Sequence, residues 1–176
     1  QVIEVISRFN DARITVDYIV EQAPLGTGGA IKNAVDQLGI TSGFYVVNGD
    51  SLLDAPIQKF FKPNGSDYSN MLVVEESNAS RYGRVLFNER LQLKGFEEKK
   101  DDPSAGWINA GIYKFDINLF QKTIPFQGSY SLERDLIPFW IDNQEIILVS
   151  PSDGRFIDIG TPESYKYFEQ NYKSWI

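Results

Sequence analysis

Gln22-Ala23-Pro24-Leu25-Gly26-Thr27-Gly28-Gly29-Ala30-Ile31-Lys32-Asn33-Ala34, followed by the apolar run that closes on Val46-Val47-Asn48-Gly49-Asp50, decides how this chain is read. The pattern is strand, glycine loop, helix, strand, carboxylate. Three glycines in four residues let the main chain pass close to a ligand where a Cβ would collide. The helix that opens there points its free N–H groups at whatever the loop holds. Asp50 falls just beyond the carboxyl end of a buried strand, where open α/β sheets place their ligands. On the near side of the loop, Ile14, Val16, Tyr18 and Val20 alternate as a strand does. On the far side, Gly39 stops a helix over about 29–38, and the apolar run 44–47 completes a βαβ unit.

Upstream, apolar residues at helical spacing over 2–9 predict the end of an amphipathic helix closed by Asn10-Asp11. Downstream, Asp54-Ala55-Pro56 predicts an N-cap and a short helix to Phe61, ended by Pro63-Asn64-Gly65. Residues 71–74 read as a buried strand, 84–87 and 91–96 as a hairpin about Asn88-Glu89-Arg90, 99–106 as a polar turn and 107–115 as a long strand. Two short helices follow over 117–123 and 131–137, the second capped by Ser131, then a strand over 145–149. Thr161-Pro162 caps a terminal helix. There is no internal repeat, linker or low-complexity tract. The expected architecture is one α/β domain over 1–176, Rossmann-like, with a mixed, mainly parallel sheet and one antiparallel hairpin.

Composition narrows the chemistry. At 176 residues the chain is long enough to bury roughly 70% of its unfolded surface. The 17 basic and 24 acidic residues give a net charge of −7, which argues against a nucleic-acid polymer or an anionic membrane as the main partner. With no cysteine and no histidine, thiolate chemistry, disulfides and Ser-His triads are excluded, leaving carboxylates, Lys, Arg, backbone amides or a hard cation on oxygen ligands. No apolar run approaches a membrane span and no signal peptide is legible, so the cytoplasm is the expected compartment.

The glycine loop matches neither the Walker form nor Gly-x-Gly-x-x-Gly; a tight strand-to-helix turn explains it as well as a binding loop does. Asp50 after its strand has to face solvent, a cation or a ligand, and a surface turn suits Asn48-Gly49-Asp50 as well; Asp158, between the apolar residues of Phe156-Ile157-Asp158-Ile159-Gly160, is costly unless paired or metal-bound. Together they could hold one Mg²⁺ that also takes phosphate oxygens. Asn109-Ala110-Gly111 inside a strand marks a place where something approaches the backbone. By contrast, 97–100 reads as a solvated charge run, Glu133-Arg134-Asp135 as the exposed face of a helix, and Tyr82-Gly83-Arg84 as a turn.

In order along the chain, Leu25-Gly26-Thr27-Gly28-Gly29-Ala30, Asn48-Gly49-Asp50, Tyr82-Gly83, Glu98-Lys99, Ile108-Asn109-Ala110-Gly111-Ile112-Tyr113, Ser131-Leu132-Glu133-Arg134-Asp135 and Phe156-Ile157-Asp158-Ile159-Gly160-Thr161-Pro162 resemble the sugar nucleotidyltransferases. Within that family the likeness is to the guanylyltransferases of heptose 1-phosphate, with those of mannose 1-phosphate near by. The resemblance implies transfer of a nucleotidyl group, with GTP the favoured donor, to a sugar 1-phosphate for surface-polysaccharide precursors such as GDP-heptose, releasing pyrophosphate. It implies that Leu25, Gly26 and Thr27 meet the base, with Gly28 and Gly29 keeping backbone close, and that Asp50 and Asp158 hold Mg²⁺. Lys99 would meet the sugar phosphate, while Gly83, Glu98, Asn109 and Ala110 would line the sugar pocket, so the catalytic set is Asp50, Lys99 and Asp158.

The chain departs from the family pattern at its start. A Gly-x-Gly-Thr-Arg loop and a Pro-Lys-Pro segment, which grip the triphosphate in the family, are not in this sequence, and Lys100 stands where Pro is frequent. The expectation is an N-terminally incomplete domain that does not turn over alone, whose exposed sheet edge is covered by another segment or by a homo-oligomeric partner. The alternative is a non-catalytic paralogue that senses nucleotide sugars with the same pockets.

Overall fold

The computed structural model describes residues 2–8, 13–61, 68–97, 103–123 and 128–175. Strands β3 (Ser69–Glu76) and β6 (Gly106–Phe115) are its spine, and they pair antiparallel. Both carry near-continuous apolar sequence because both of their faces are covered. Met71 and Val73 face one core with Tyr113 and Phe115, while Leu72 and Val74 face the other with Ile108, Ala110 and Ile112. All four β3 side chains from Met71 to Val74 are at most 4% exposed.

The hairpin β4 (Arg84–Phe87) and β5 (Leu93–Glu97) joins β6 at Arg84, and β7 (Ile147–Ser152) lies parallel to β3 on its far side. The order is β5-β4-β6-β3-β7, and β1 (Phe44–Val47) pairs antiparallel with β6 on the same side as β4. A separate ribbon pairs β2 (Ser51–Asp54) with β8 (Arg155–Asp158). The hairpin turn forms where expected: the Asn88 side-chain oxygen accepts the amides of Arg90 and Gln92, and Leu91 takes a φ of 57°.

Helices α1 (Val2–Ile6), α2 (Gly26–Gln37), α3 (Ile117–Lys122), α4 (Ile137–Asp142) and α5 (Pro162–Asn171) fill in around the sheet. Thr161 and Ser164 form a reciprocal capping box at the start of α5. Trp140 of α4 lies 5.7 Å from the ring of Phe115 and 5.1 Å from that of Phe120, and its indole N–H donates to Thr123 Oγ1 at 2.8 Å. No helix among the described residues is long and apolar enough to cross a membrane.

Three expectations are corrected. The sheet is mixed, but its described ladders are antiparallel except β3 with β7, and residues 14–20 join no ladder, so no βαβ unit forms there. Their apolar side chains are exposed, Val20 by 73%. Strand β1 is covered on one face alone: Phe44 and Val46 pack inward while Tyr45 and Val47 are exposed. The helix expected after Asp54 shrinks to one 3₁₀ turn, Ile57–Lys59. The helix stop at Phe9-Asn10-Asp11, the turn at Pro63-Asn64-Gly65, and Glu98, Lys99 and Lys100 lie outside the described residues.

Candidate active site

The glycine loop is shaped by packing against the segment that precedes α4. Tyr130 donates its amide to Leu25 O at 2.9 Å, and its carbonyl accepts the amides of Gly28 and Gly29 at 3.1 and 3.3 Å. Helix α2 starts at Gly26, three residues earlier than its sequence suggests. Gly26 has a φ of 73°, and a Cβ there would stand 2.4 Å from Tyr130 O, so no side chain fits. Gly28 and Gly29 are buried against Tyr130, which makes them packing residues whose N–H groups are already bonded. Of the loop, Gly26 and Thr27 face the open cleft; Leu25 does not line it.

That cleft, about 720 Å³, lies where the sheet divides. Strand β6 pairs with β1 through residues 112–115 and with β4 at Ile108, on one and the same side. Between the two ladders Gly111 takes a φ of 70° and β6 bulges relative to β3. Its carbonyl accepts the amide of Asn48 at 2.8 Å, and a Cβ on it would strike the Asn48 side chain at 2.9 Å. The bulge turns Asn109 toward the cleft, which also receives Tyr82, Gly83, Phe96 and Glu97 from the hairpin side and Ser131, Glu133 and Arg134 from the other. Ala110 packs into the core on the opposite face of the sheet.

At the floor of the cleft Glu133 gathers four donors. Tyr113 Oη–H donates to Oε1 at 2.8 Å and Ser131 Oγ–H to Oε2 at 3.1 Å, while Asn109 Nδ2 and Thr27 Oγ1 stand farther off at 3.4 and 3.5 Å. Asn109 Nδ2 also donates to Tyr113 Oη, and its Oδ1 accepts the Gly111 amide at 2.9 Å, which fixes the amide orientation. Thr27 Oγ1 accepts from the Leu132 amide at 2.9 Å. Ser131 caps the turn as its sequence predicts, accepting from the amides of Glu133 and Arg134. Reading 133–135 as an outer helix face missed this cluster. A glutamate two residues past a capping serine looks the same whether it faces water or a cleft; only the long-range packing of that turn on α2 and β6 turns it inward.

Burial, then the Glu133 carboxylate, push the Tyr113 hydroxyl well above its ordinary range. The raised value means that Tyr113 adds stability below pH 10 that is lost as pH climbs through its folded value. Tyr113→Phe is therefore expected to cost about 1–3 kcal/mol at neutral pH, since it strips Glu133 of its shortest bond. The gap from the parent should narrow above pH 10; urea denaturation of both proteins from pH 7 to 11 measures it, and a gap independent of pH refutes the coupling.

The second feature is a carboxylate pair. Register sets Ser51 opposite Asp158, and Ile159 donates its amide to Asp50 O at 2.8 Å, which brings Asp50 beside Asp158. Both point over Gly160: a Cβ there would lie 3.0 Å from Asp158 Oδ1 and 3.4 Å from Asp50 Oδ2. Two hard oxygen donors converging over a residue that lacks a side chain fit a Mg²⁺-sized cation with open positions for ligand oxygens. No cluster of three acidic ligands occurs among the described residues, so such a cation would keep those positions. Asp158 shares a neighbouring hollow of about 440 Å³ with Tyr82, which also borders the main cleft. Desolvation raises the Tyr82 hydroxyl; Arg81 opposes this, and Asp158 adds to it.

The nucleotidyl transferase family model matches residues 1–174. The chain is 34% identical over 157 residues to a D-glycero-alpha-D-manno-heptose 1-phosphate guanylyltransferase of Campylobacter jejuni, covering 88% of this chain and 66% of that protein. It is 31% identical over 156 residues to a mannose-1-phosphate guanylyltransferase of Mycobacterium tuberculosis, covering 86% of this chain and 43% of that one. The crystal structure of HddC from Yersinia pseudotuberculosis complexed with GMP-PN superposes with a TM-score of 0.80 at 30% identity, over 97% of this chain and 73% of that chain. The chain thus spans between under half and about two thirds of the length of these two relatives.

Proposed function

Because this chain belongs to the nucleotidyl transferase family, we propose that it forms the base and sugar half-sites of an enzyme that transfers a nucleotidyl group, GMP by preference, to a sugar 1-phosphate. The observation that carries this reading is the cleft itself. It opens at the divide in the sheet, with Gly26 and Thr27 on one wall and Gly83 and Asn109 on the other, and Tyr82 links it to the hollow that Asp158 borders. In the reaction a sugar-phosphate oxygen forms a bond to the α-phosphorus, the bond from that phosphorus to the β-phosphate oxygen breaks, and pyrophosphate leaves with the electron pair. Positioning and charge neutralisation supply the catalysis, so a chain without histidine or cysteine is no obstacle.

Among the described residues lining the cleft, Arg134 is the single cation beside Glu97, Glu133 and Asp135. Carboxylates suit a polyhydroxylated sugar; phosphates require more positive charge. Asp50 and Asp158 would hold Mg²⁺, which when bound offsets phosphate charge. Lys99, outside the described residues, is the proposed contact of the sugar phosphate, with Glu98 beside the sugar. Gly26 and Thr27, the loop residues that line the cleft, would meet the base, and a GTP preference rests on the guanylyltransferase relatives.

Thermal-shift titration of the chain with GTP, UTP, dTTP and CTP, then with mannose and heptose 1-phosphates, tests the reading. The expected result is stabilisation by GTP above the other triphosphates and by at least one sugar 1-phosphate, the size following ligand concentration over Kd. Turnover is read as pyrophosphate release by the protein expressed from its complete open reading frame. Stabilisation by none of these ligands, or no pyrophosphate from that protein, refutes the proposal.

A further inference from the structure

We propose that Glu133 and Asn109 form a paired acceptor and donor that reads one hydroxyl group of the sugar, making Glu133 a specificity-determining residue of the cleft; the inference rests on the sugar-phosphate reading of that cleft. The bond lengths point to it. The carboxylate has two firm donors, Tyr113 at 2.8 Å and Ser131 at 3.1 Å, and two at the limit of hydrogen bonding, Asn109 at 3.4 Å and Thr27 at 3.5 Å. The firm partners fix the carboxylate; the distant ones leave lone-pair directions underused, and Glu133, Asn109 and Thr27 all line the cavity.

Asn109 supplies the complementary half. Its Oδ1 is committed to the Gly111 amide, so its Nδ2 is the end that faces Glu133. Tyr113 Oη donates to Glu133 and accepts from Asn109, and Tyr113 is fully buried outside the cleft lining, so it is not offered to a ligand. A hydroxyl entering between Glu133 and Asn109 donates to the carboxylate and accepts from the amide at once. A hydrogen or an ether oxygen at the same position cannot do both and leaves a cleft carboxylate under-bonded, the situation in which polar sites discriminate best.

The test is a double-mutant cycle between protein and ligand, using calorimetric titration with the tightest-binding sugar 1-phosphate and its singly deoxygenated analogues. In the unmutated protein one analogue is expected to bind at least about tenfold more weakly than the parent sugar. Glu133→Ala should bind that analogue and the parent equally while keeping the unmutated discrimination at every other position. Glu133→Gln, which preserves shape and one acceptor oxygen, gives an intermediate ratio and carries the test if the alanine variant does not fold. A uniform loss across all analogues makes Glu133 a strut and overturns the inference alone. A change confined to GTP against ITP makes it a reader of the base and overturns it as well. Absence of any sugar 1-phosphate binding by the unmutated protein removes the functional reading and this inference with it.

Discussion

Asp158→Asn is expected to lower kcat of the protein carrying this chain by roughly a thousandfold, about 4 kcal/mol of lost transition-state stabilisation, while unfolding stays nearly unchanged. The two effects separate because the fold asks little of the negative charge. Asp158 Oδ1 accepts the Gly160 amide at 2.8 Å, and an asparagine oxygen does the same. Asp50 joins the ribbon through its main-chain carbonyl, and its side chain is exposed, so Asp50→Asn should be equally mild for folding. A hard cation, however, binds a carboxylate far better than an amide oxygen. Gly160→Ala provides an independent check, since its Cβ would enter the space between the two carboxylates without a left-handed backbone to strain. Calorimetric titration with Mn²⁺ as the probe, beside activity as a function of Mg²⁺, measures the change. Metal binding and kcat unaltered in all three variants would remove Asp50 and Asp158 from the mechanism.

The largest stability effect should come from Trp140→Ala, at about 3–5 kcal/mol, a substantial part of the roughly 5–15 kcal/mol that holds a domain together. Trp140 is 1% exposed and closes an aromatic group with Phe115 and Phe120, whose own ring centroids are 5.3 Å apart. Its removal leaves a ring-sized cavity and an unmatched Thr123 hydroxyl, although that hydroxyl still donates to Leu119 O at 2.7 Å. Trp140→Phe and Thr123→Val each break the indole bond, and the double variant should cost less than the sum of the two. The site feels this too, since Phe115 stacks on Tyr113 at 5.4 Å and 14°, and Tyr113 holds Glu133. Urea denaturation gives the energies; a cost below about 1 kcal/mol for Trp140→Ala would mean that the group is loosely packed.

What the sequence disclosed follows the range of the forces involved. Runs such as 71–74 and 107–115 are legible because burial on both faces writes itself into every residue, and the Ser131 and Thr161 caps because a cap acts within three residues. The nearness of Asp50 to Asp158 follows a signal in the sequence: a carboxylate just past a strand end and another set between apolar residues. Residues 14–20 misled, since alternation reports a strand's preference for a sheet and says nothing of whether a neighbour is there to pair. The inward turn of Glu133 and the packing role of Gly28 and Gly29 are invisible in the sequence for one reason: each depends on how the segment around Tyr130 and Ser131 lies against α2, a contact made across about a hundred residues.

The bulge at Gly111 also ties ligand affinity to a population. Asn48, the residue just after β1, donates its amide to the Gly111 carbonyl, Gly111 holds Asn109, and β1 is a short strand that pairs, among the described residues, with β6 alone. Short edge elements open locally at much lower free energy than the centre of a sheet. Whenever β1 is away from β6, Asn109 loses its aim, and the measured Kd becomes the intrinsic one divided by the closed fraction. Whatever braces the outer edge of β1 would therefore tighten binding of the proposed ligand without touching it, by raising the share of molecules in which the cleft is assembled.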